Sequence, residues 1–304
     1  MKQIKVGGLL PASQVALGCG RFGKNTLKEG EKLVLTCLEE GINYFDLADI
    51  YMGGASEERF GEVLAANPGL RNRMLIQSKC SVHEGHYDLS KEHILEAVNT
   101  SLQRLGTDHL DSLLLHRPDT LLEPEEVAEA FEILHREGKV RYFGVSNFKP
   151  LFMELLQQAV PHKLIANQLQ FSLMHTGMID SGIHMNMEDH ASIGRDDSML
   201  EYARLRGITI QAWSPFQYGW FEGVYLDNPK FPELNRVIDD IAATYDVPNT
   251  AIATAWILRH PAGIMPLCGT ANPKRIQDIA KGGDITLTRK EWYDIYKAAG
   301  NELP

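Results

Sequence analysis

Residues 75–116 read LIQSKCSVHEGHYDLSKEHILEAVNTSLQRLGTDHLDSLLLH, and the fold is decided by how this stretch is read. A short apolar run, Leu75–Gln77, predicts a strand. From Lys91 to Leu105, residues Ile94, Ala97, Val98, Ser101, Leu102 and Leu105 recur at three- and four-residue steps. That spacing lays them on one helical face, and Ser90 is placed to cap it. A second apolar run, Ser112–Leu115, follows. Strand, helix, strand in this order means parallel pairing, because the crossover returns the chain to the same edge.

The same alternation runs outward to both ends. Upstream it predicts strand Val15–Leu17, helix Leu27–Glu40 stopped at Gly41, strand Tyr44–Phe45 and helix Glu57–Ala66. Downstream it predicts helix Pro124–Glu137, strand Tyr142–Val145, helix Leu151–Ala159, strand Leu164–Asn167, helix Met199–Arg206 and strand Thr209–Ala212. Two helices follow, Pro232–Tyr245 and Thr250–His260, then strand Ile264–Leu267, helix Pro273–Ala280 and a tail helix near Arg289–Ala299. Gly7-Gly8 and Pro11 make a small hairpin of the first residues. Eight such units close most economically as a (β/α)8 TIM barrel, here with an N-terminal β-hairpin and an extra C-terminal helix. An open doubly wound sheet is the alternative. No linker or low-complexity tract divides the chain, so residues 1–304 are expected to form one domain.

Composition narrows the function. Of 304 residues 44% are hydrophobic and 23% charged, an ordinary globular profile. The 40 acidic against 30 basic residues argue against nucleic acid, which needs a basic face. The stretch from Lys2 to Cys19 has a faint likeness to a lipoprotein signal, but Gly7, Gly8, Pro11, Ser13 and Gln14 break its apolar run. No segment has the ~20 apolar residues of a membrane span. Cys19, Cys37, Cys80 and Cys268 are scattered, as in a reduced cytoplasmic protein, and include no zinc-type pair. The histidines and methionines of the long connection Ser172–Asp197 lack a tight carboxylate–histidine pattern, so no metal site is expected. With Gln217–Phe231, that connection is long enough to wall a pocket.

In a barrel, chemistry sits where strands end. Asp46, Lys79 and His116 follow three successive strands, and Tyr51 lies in the loop just after Asp46. A phenol is a weak acid at neutral pH, and an ammonium beside it lowers its pKa. Lys79 can play that part if Asp46 balances its buried charge. A tyrosine so tuned delivers a proton to a carbonyl oxygen that His116 orients. No nucleophile is evident, which favours addition to a carbonyl with a hydride from elsewhere.

On these residues the sequence resembles the aldo-keto reductases. The matches are Asn43-Tyr44-Phe45-Asp46 with Tyr51, Ser78-Lys79, Leu115-His116, Gly144-Val145-Ser146-Asn147-Phe148, Asn167-Gln168, Ala212-Trp213-Ser214-Pro215, and Gly269-Thr270 through Arg275. They fall in the family's order over roughly residues 15–280. The resemblance implies an (α/β)8 barrel that holds a nicotinamide cofactor without a Rossmann domain, and a tetrad of Asp46, Tyr51, Lys79 and His116 with Tyr51 as general acid. It implies that Ser146, Asn147 and Gln168 hold the carboxamide and that Trp213 stacks on the nicotinamide. Ser214, Pro215 and Phe216 would lie along the pyrophosphate, Gly20 and Arg21 beside the cofactor, and Gly269, Thr270 and Arg275 near the adenosine phosphate. NADP(H) is the preferred cofactor through Arg275, with NAD(H) left open, because the lysine many members carry near Gly269–Ala271 is absent. The partner implied is a small carbonyl or alcohol substrate; oligomeric state stays open.

The resemblance also disposes of Gly18-Cys-Gly20-Arg-Phe-Gly23, a G-x-G-x-x-G run after a strand. Lys24, Asn25 and Thr26 separate its glycines from the helix that a dinucleotide fingerprint requires. Two other readings stand beside the reductase. In one, Lys79 is the Schiff-base lysine of a barrel aldolase; in the other, the chain is a cofactor-holding regulatory subunit. Pocket walls are expected from Phe22, Met52, Arg117 and Trp220. Cys19, Cys80 and Cys268 are read as small residues that fit tight strand ends; the sharper alternative is that Cys80, adjacent to Lys79, is a partly exposed thiol of lowered pKa.

Overall fold

Gly7 and Gly8 both take left-handed backbone, φ 59° and 76°, and so turn β1 (Gln3–Val6) back onto β2 (Leu10–Ser13). A side chain at Gly7 has no room, since a Cβ there would stand 2.5 Å from that of Ile165. The hairpin lays Val6, Leu10 and Ala12 against Ala16, Tyr44, Ile165 and Met265, residues at or near the starts of barrel strands. It therefore stoppers the N-terminal end of the barrel.

The computed structural model describes residues 1–304. After the hairpin come β3 (Ala16–Gly18), α1 (Leu27–Glu39), β4 (Tyr44–Asp46), α2 (Ala55–Ala66) and β5 (Leu75–Cys80). A second hairpin, β6 (Val82–His83) and β7 (His86–Tyr87), precedes α3 (Lys91–Leu105), β8 (Leu110–Leu115), α4 (Pro124–Arg136), β9 (Val140–Ser146), α5 (Pro150–Ala159) and β10 (Leu164–Gln170). Then follow α6 (Gly177–Ile183), α7 (Met199–Arg206), β11 (Thr209–Trp213), β12 (Gln217–Tyr218), β13 (Gly223–Val224), α8 (Pro232–Tyr245), α9 (Asn249–Leu258), β14 (Met265–Cys268), α10 (Pro273–Gly282) and α11 (Arg289–Ala298). The parallel strands β3, β4, β5, β8, β9, β10, β11 and β14 pair in chain order, and β14 closes on β3 through Leu267–Ala16 and Cys268–Leu17. The expected barrel, hairpin and tail helix are all present. No helix is long and apolar enough to cross a membrane.

Local chemistry fixes the helix ends. Thr26 and Glu29 form a reciprocal capping box on α1, Gly41 beyond it has φ 76°, and Ser90 caps α3 as its sequence suggests. The tail helix is bound by a mutual exchange: Trp256 and Trp292 stack at 4.8 Å, each indole donating to the other's backbone carbonyl at 3.0 Å.

Three expectations need correction. Asp46, Lys79, Ser146, Gln168, Trp213 and Cys268 lie within strands rather than after them, because ladder pairing is backbone chemistry and continues under polar side chains. The connection 172–197 contains α6, and the connection 217–231 contains the β12–β13 hairpin. Cys80 is buried, and burial, reinforced by Asp49 and Asp88, pushes its thiol well above the usual range. Successive strand residues face opposite ways, so Lys79 points into the barrel while Cys80 packs in the hydrophobic core. Cys19, Cys37 and Cys268 are buried free thiols as well, each raised by burial.

Two outcomes follow from this packing. Iodoacetamide should leave all four thiols of the folded protein unmodified and label them on denaturation, with Cys80→Ser indistinguishable from wild type. Rapid native labelling at one site, located by mass spectrometry, would contradict the burial. Gly61→Ala should destabilise, since its Cβ would stand 2.2 Å from the carbonyl oxygen of Arg104 where α2 crosses the end of α3. Overpacking costs about 1–3 kcal/mol, against about 1 kcal/mol of gained helix propensity. A higher midpoint in urea would refute the close crossing.

Candidate active site

Lys79 sits on β5 with its side chain fully buried. Its ammonium donates to Asp46 Oδ2 at 2.8 Å, to the carbonyl of Leu47 at 2.6 Å and to Tyr51 Oη at 2.9 Å. A lysine has three N–H donors, so none is left over. Burial alone would lower its pKa, but Asp46 and Tyr51 outweigh that and hold it above the ordinary value, keeping the cation. A Schiff-base lysine must be neutral and reachable. Lys79 is neither, and the aldolase reading loses its support.

Asp46, the last residue of β4, is itself held from several sides. Its other oxygen accepts from Gln77 Nε2 at 2.6 Å and Gln168 Nε2 at 2.9 Å. Gln211 accepts from both of these amides, at 2.8 and 3.1 Å, and Tyr44 donates to Gln77 at 2.9 Å. This buried polar layer beneath the ion pair is what sequence reading missed. Gln77, Ser112 and Gln211 interrupt parallel strands that should run apolar, and that interruption was its signal.

Tyr51 is aimed by the backbone that follows it. Met52, Gly53 and Gly54 all have positive φ, at 55°, 65° and 96°. Arg104 of α3 donates to the Asp49 carbonyl at 2.9 Å and to Glu57 at 3.2 Å, and Glu57 accepts from Ser78 of β5 at 2.6 Å. The tyrosine loop is thereby tied to β5 and α3, and Glu57 and Arg104 had no distinguishing mark in the sequence. Burial pushes the Tyr51 phenol above its ordinary pKa, and Lys79 only partly offsets this. The expectation of a phenol titrating below free tyrosine is corrected: desolvation is the larger effect. His116 meets the Tyr51 ring edge-on at 5.8 Å. Burial, then Lys79 and Arg117, lower its pKa well below the usual value, so the imidazole is neutral, and its Nδ1 is buried without a partner.

Asp46, Tyr51 and His116 open on a cleft of about 900 Å³, with Lys79 behind them. Its lining includes Gly20, Arg21, Ser146, Asn147, Gln168, Trp213, Ser214, Pro215, Phe216, Gly269, Thr270 and Arg275, so the residues expected around a cofactor converge on one cavity. Asn147 and Ser214 carry positive φ, 63° and 53°. Asn147 accepts from the Trp213 indole at 3.3 Å and donates to Ser146 Oγ at 2.9 Å. Gln168 has spent its amide N–H groups on Asp46 and Gln211, which leaves its carbonyl oxygen for a donor in the cleft. Arg21 reaches across to the Gly269 carbonyl at 3.1 Å. The N-terminus of α1 is occupied by its own capping box. Phe22 and Arg117 line the cleft, Met52 does not, and Trp220 lines an adjoining 310 Å³ cavity that shares Arg117, Asn147 and Trp213 with it.

A cationic lysine, a phenol it hydrogen-bonds and a neutral imidazole on an open cleft can together protonate and orient a polar oxygen. Residues 14–299 match the model of the aldo/keto reductase family. The chain is 35% identical over 318 residues to the 6-dehydroglucose reductase of Agrobacterium fabrum, with all of both chains covered. It is 36% identical over 321 residues, again with full coverage, to the uncharacterized oxidoreductase YcsN of Bacillus subtilis. An aldo-keto reductase from Klebsiella pneumoniae, solved in complex with NADPH, superposes with a TM-score of 0.77 at 25% identity, covering 97% of this chain and 94% of that one. The chain belongs to the aldo/keto reductase family and is an oxidoreductase on a (β/α)8 barrel.

Proposed function

We propose that the enzyme reduces an aldehyde or ketone to an alcohol with NADPH, Tyr51 supplying the proton. The observation that carries this reading is the Lys79 ammonium, which is saturated by Asp46, the Leu47 carbonyl and Tyr51 while the tyrosine faces the cleft. When bound, the dinucleotide supplies the hydride. Tyr51 Oη accepts from Lys79, so its own proton is free to point at a carbonyl oxygen in the cleft. As that oxygen gains negative charge, Tyr51 gives up its proton and the adjacent ammonium stabilises the phenolate left behind. Neutral His116 orients the same oxygen by a hydrogen bond without adding charge.

Ser146, Asn147 and Gln168 would hold the carboxamide, Trp213 would stack on the ring, and Ser214, Pro215 and Phe216 would follow the pyrophosphate, with Gly20 and Arg21 alongside. Gly269, Thr270 and Arg275 would meet the adenosine phosphate. Arg275 fits that part: it is exposed at the cleft in the first turn of α10, whereas Lys274 beside it is paired with Asp278. The Klebsiella relative's NADPH complex supports the choice of cofactor, and the reductase name of the Agrobacterium relative supports the direction. The complete tetrad speaks against a purely regulatory subunit.

Tyr51→Phe should lower kcat for reduction by about 10²–10⁴-fold and leave NADPH affinity nearly intact. Because the wild-type phenol is raised, reduction should stay level from neutral pH upward and fall only above the ordinary phenol range, near 10. A variant that keeps most of its kcat removes Tyr51 from the mechanism.

Arg275→Ala should weaken NADPH by about ten- to a hundredfold, the worth of a hydrogen-bonded charge pair, and leave NADH little changed. Fluorescence titration with both nucleotides decides this. Equal losses, or a wild type that prefers NADH, would reverse the cofactor assignment.

A further inference from the structure

Outside the cleft, the β6–β7 hairpin and the first turn of α3 bring three histidines and a carboxylate together. His83 Nε2 lies 3.2 Å from His93 Nδ1. One ligand atom from each of His83, Asp88 and His93 lies within 4.8 Å of the other two. The His86 ring stacks on His83 at 4.7 Å, 5° from parallel. One oxygen of Asp88 accepts from the Ser90 backbone amide at 2.8 Å.

We propose that His83, Asp88 and His93 bind one divalent transition-metal ion of the zinc class, with water completing the coordination. Two nitrogens bound at about 2.05 Å on a tetrahedral ion stand about 3.3 Å apart; His83 Nε2 and His93 Nδ1 are 3.2 Å apart, and the rings, with centroids at 4.3 Å, need only swing outward to aim both lone pairs at one ion. A hydrogen bond between the rings would satisfy only themselves; a dication engages both rings and the Asp88 carboxylate beside them. Two imidazoles and one carboxylate suit zinc, copper or nickel rather than magnesium or calcium. All three ligands come from residues 83–93, so little chain must be ordered to assemble them. His83 is carried by a hairpin strand and His93 by a helix, which hold the ligands in place.

The ion would clip the hairpin to α3, and its effect would pass toward the cleft. The Asp88 amide donates to the Ser81 carbonyl at 2.9 Å. Ser81, at φ 127°, accepts from the Arg117 amide at 3.0 Å and donates to the Arg117 carbonyl at 3.3 Å. The site thus steadies the segment carrying His116 and Arg117 from outside.

The test uses the full, untagged chain stripped with a chelator, titrated with Zn²⁺ against a chromogenic indicator and with Co²⁺ as an optical probe. Wild type should take up one ion per chain with the intense visible bands of four-coordinate cobalt, and should melt at higher temperature when loaded. His83→Gln and His93→Gln should each lose at least about tenfold in affinity, while His86→Gln, which only unstacks a ring, should keep it. His83 is exposed, so its variant should fold normally, as a metal-free melt will show. No uptake by wild type at micromolar Zn²⁺, or undiminished affinity in His83→Gln, overturns the assignment.

Discussion

The charge of Lys79 is sealed from bulk solvent and is stabilised by what the fold supplies. Removing one partner from a buried ion pair costs about 3–5 kcal/mol, so Asp46 and Lys79 constrain one another and everything that touches them. Asp46 must end β4 opposite β5, which sets the register Asp46–Gln77. The Leu47 carbonyl must turn inward immediately afterwards to take the second N–H. The loop must then return Tyr51 for the third, and three successive left-handed residues after Tyr51 accompany that return. The local backbone and the chemistry at the cleft are two faces of one electrostatic requirement.

Beneath the pair, the glutamine layer serves the same end. Gln77 and Gln168 each donate to Asp46, and Gln211 accepts from both. The carboxylate is therefore fixed in orientation as well as in charge. Lower still, the N-terminal hairpin closes the barrel with apolar residues. The interior grades from dry to polar to open along one axis, and the reactive groups lie where polarity meets solvent.

Much of this was legible in the sequence. Periodicity carried the barrel because each helix buries a regular stripe, as Ile94, Ala97, Val98, Ser101, Leu102 and Leu105 of α3 do. The positions of Asp46, Tyr51, Lys79 and His116 were legible because strand ends converge. What was not legible depends on directions that spacing leaves unspecified. Adjacency of Cys80 to Lys79 does not make them neighbours in space, because the pleat sends successive side chains to opposite faces. The titration of Tyr51 is not legible from its pairing with Lys79 alone, because the burial that brings the two together raises the phenol by more than the ammonium lowers it. The cluster at His83, His86, Asp88 and His93 is hidden in the sequence because only a tight hairpin folds its spacing into one point. Glu57 and Arg104 give no sign because a charge pair with one buried partner looks, in sequence, like any helix surface.

The tryptophans divide into two populations. Trp256 and Trp292 are stacked and sealed in the helical layer, and Trp213 and Trp220 stand at the mouth of the cleft, with Trp220 65% exposed. The chain thus carries two optical reporters with separate duties. The inner pair emits from a rigid apolar setting that persists until α11 leaves the barrel. The outer pair is open to aqueous quenchers and to energy transfer toward anything seated beside Trp213. Emission from one protein without any label separates loosening of the scaffold from filling of the mouth.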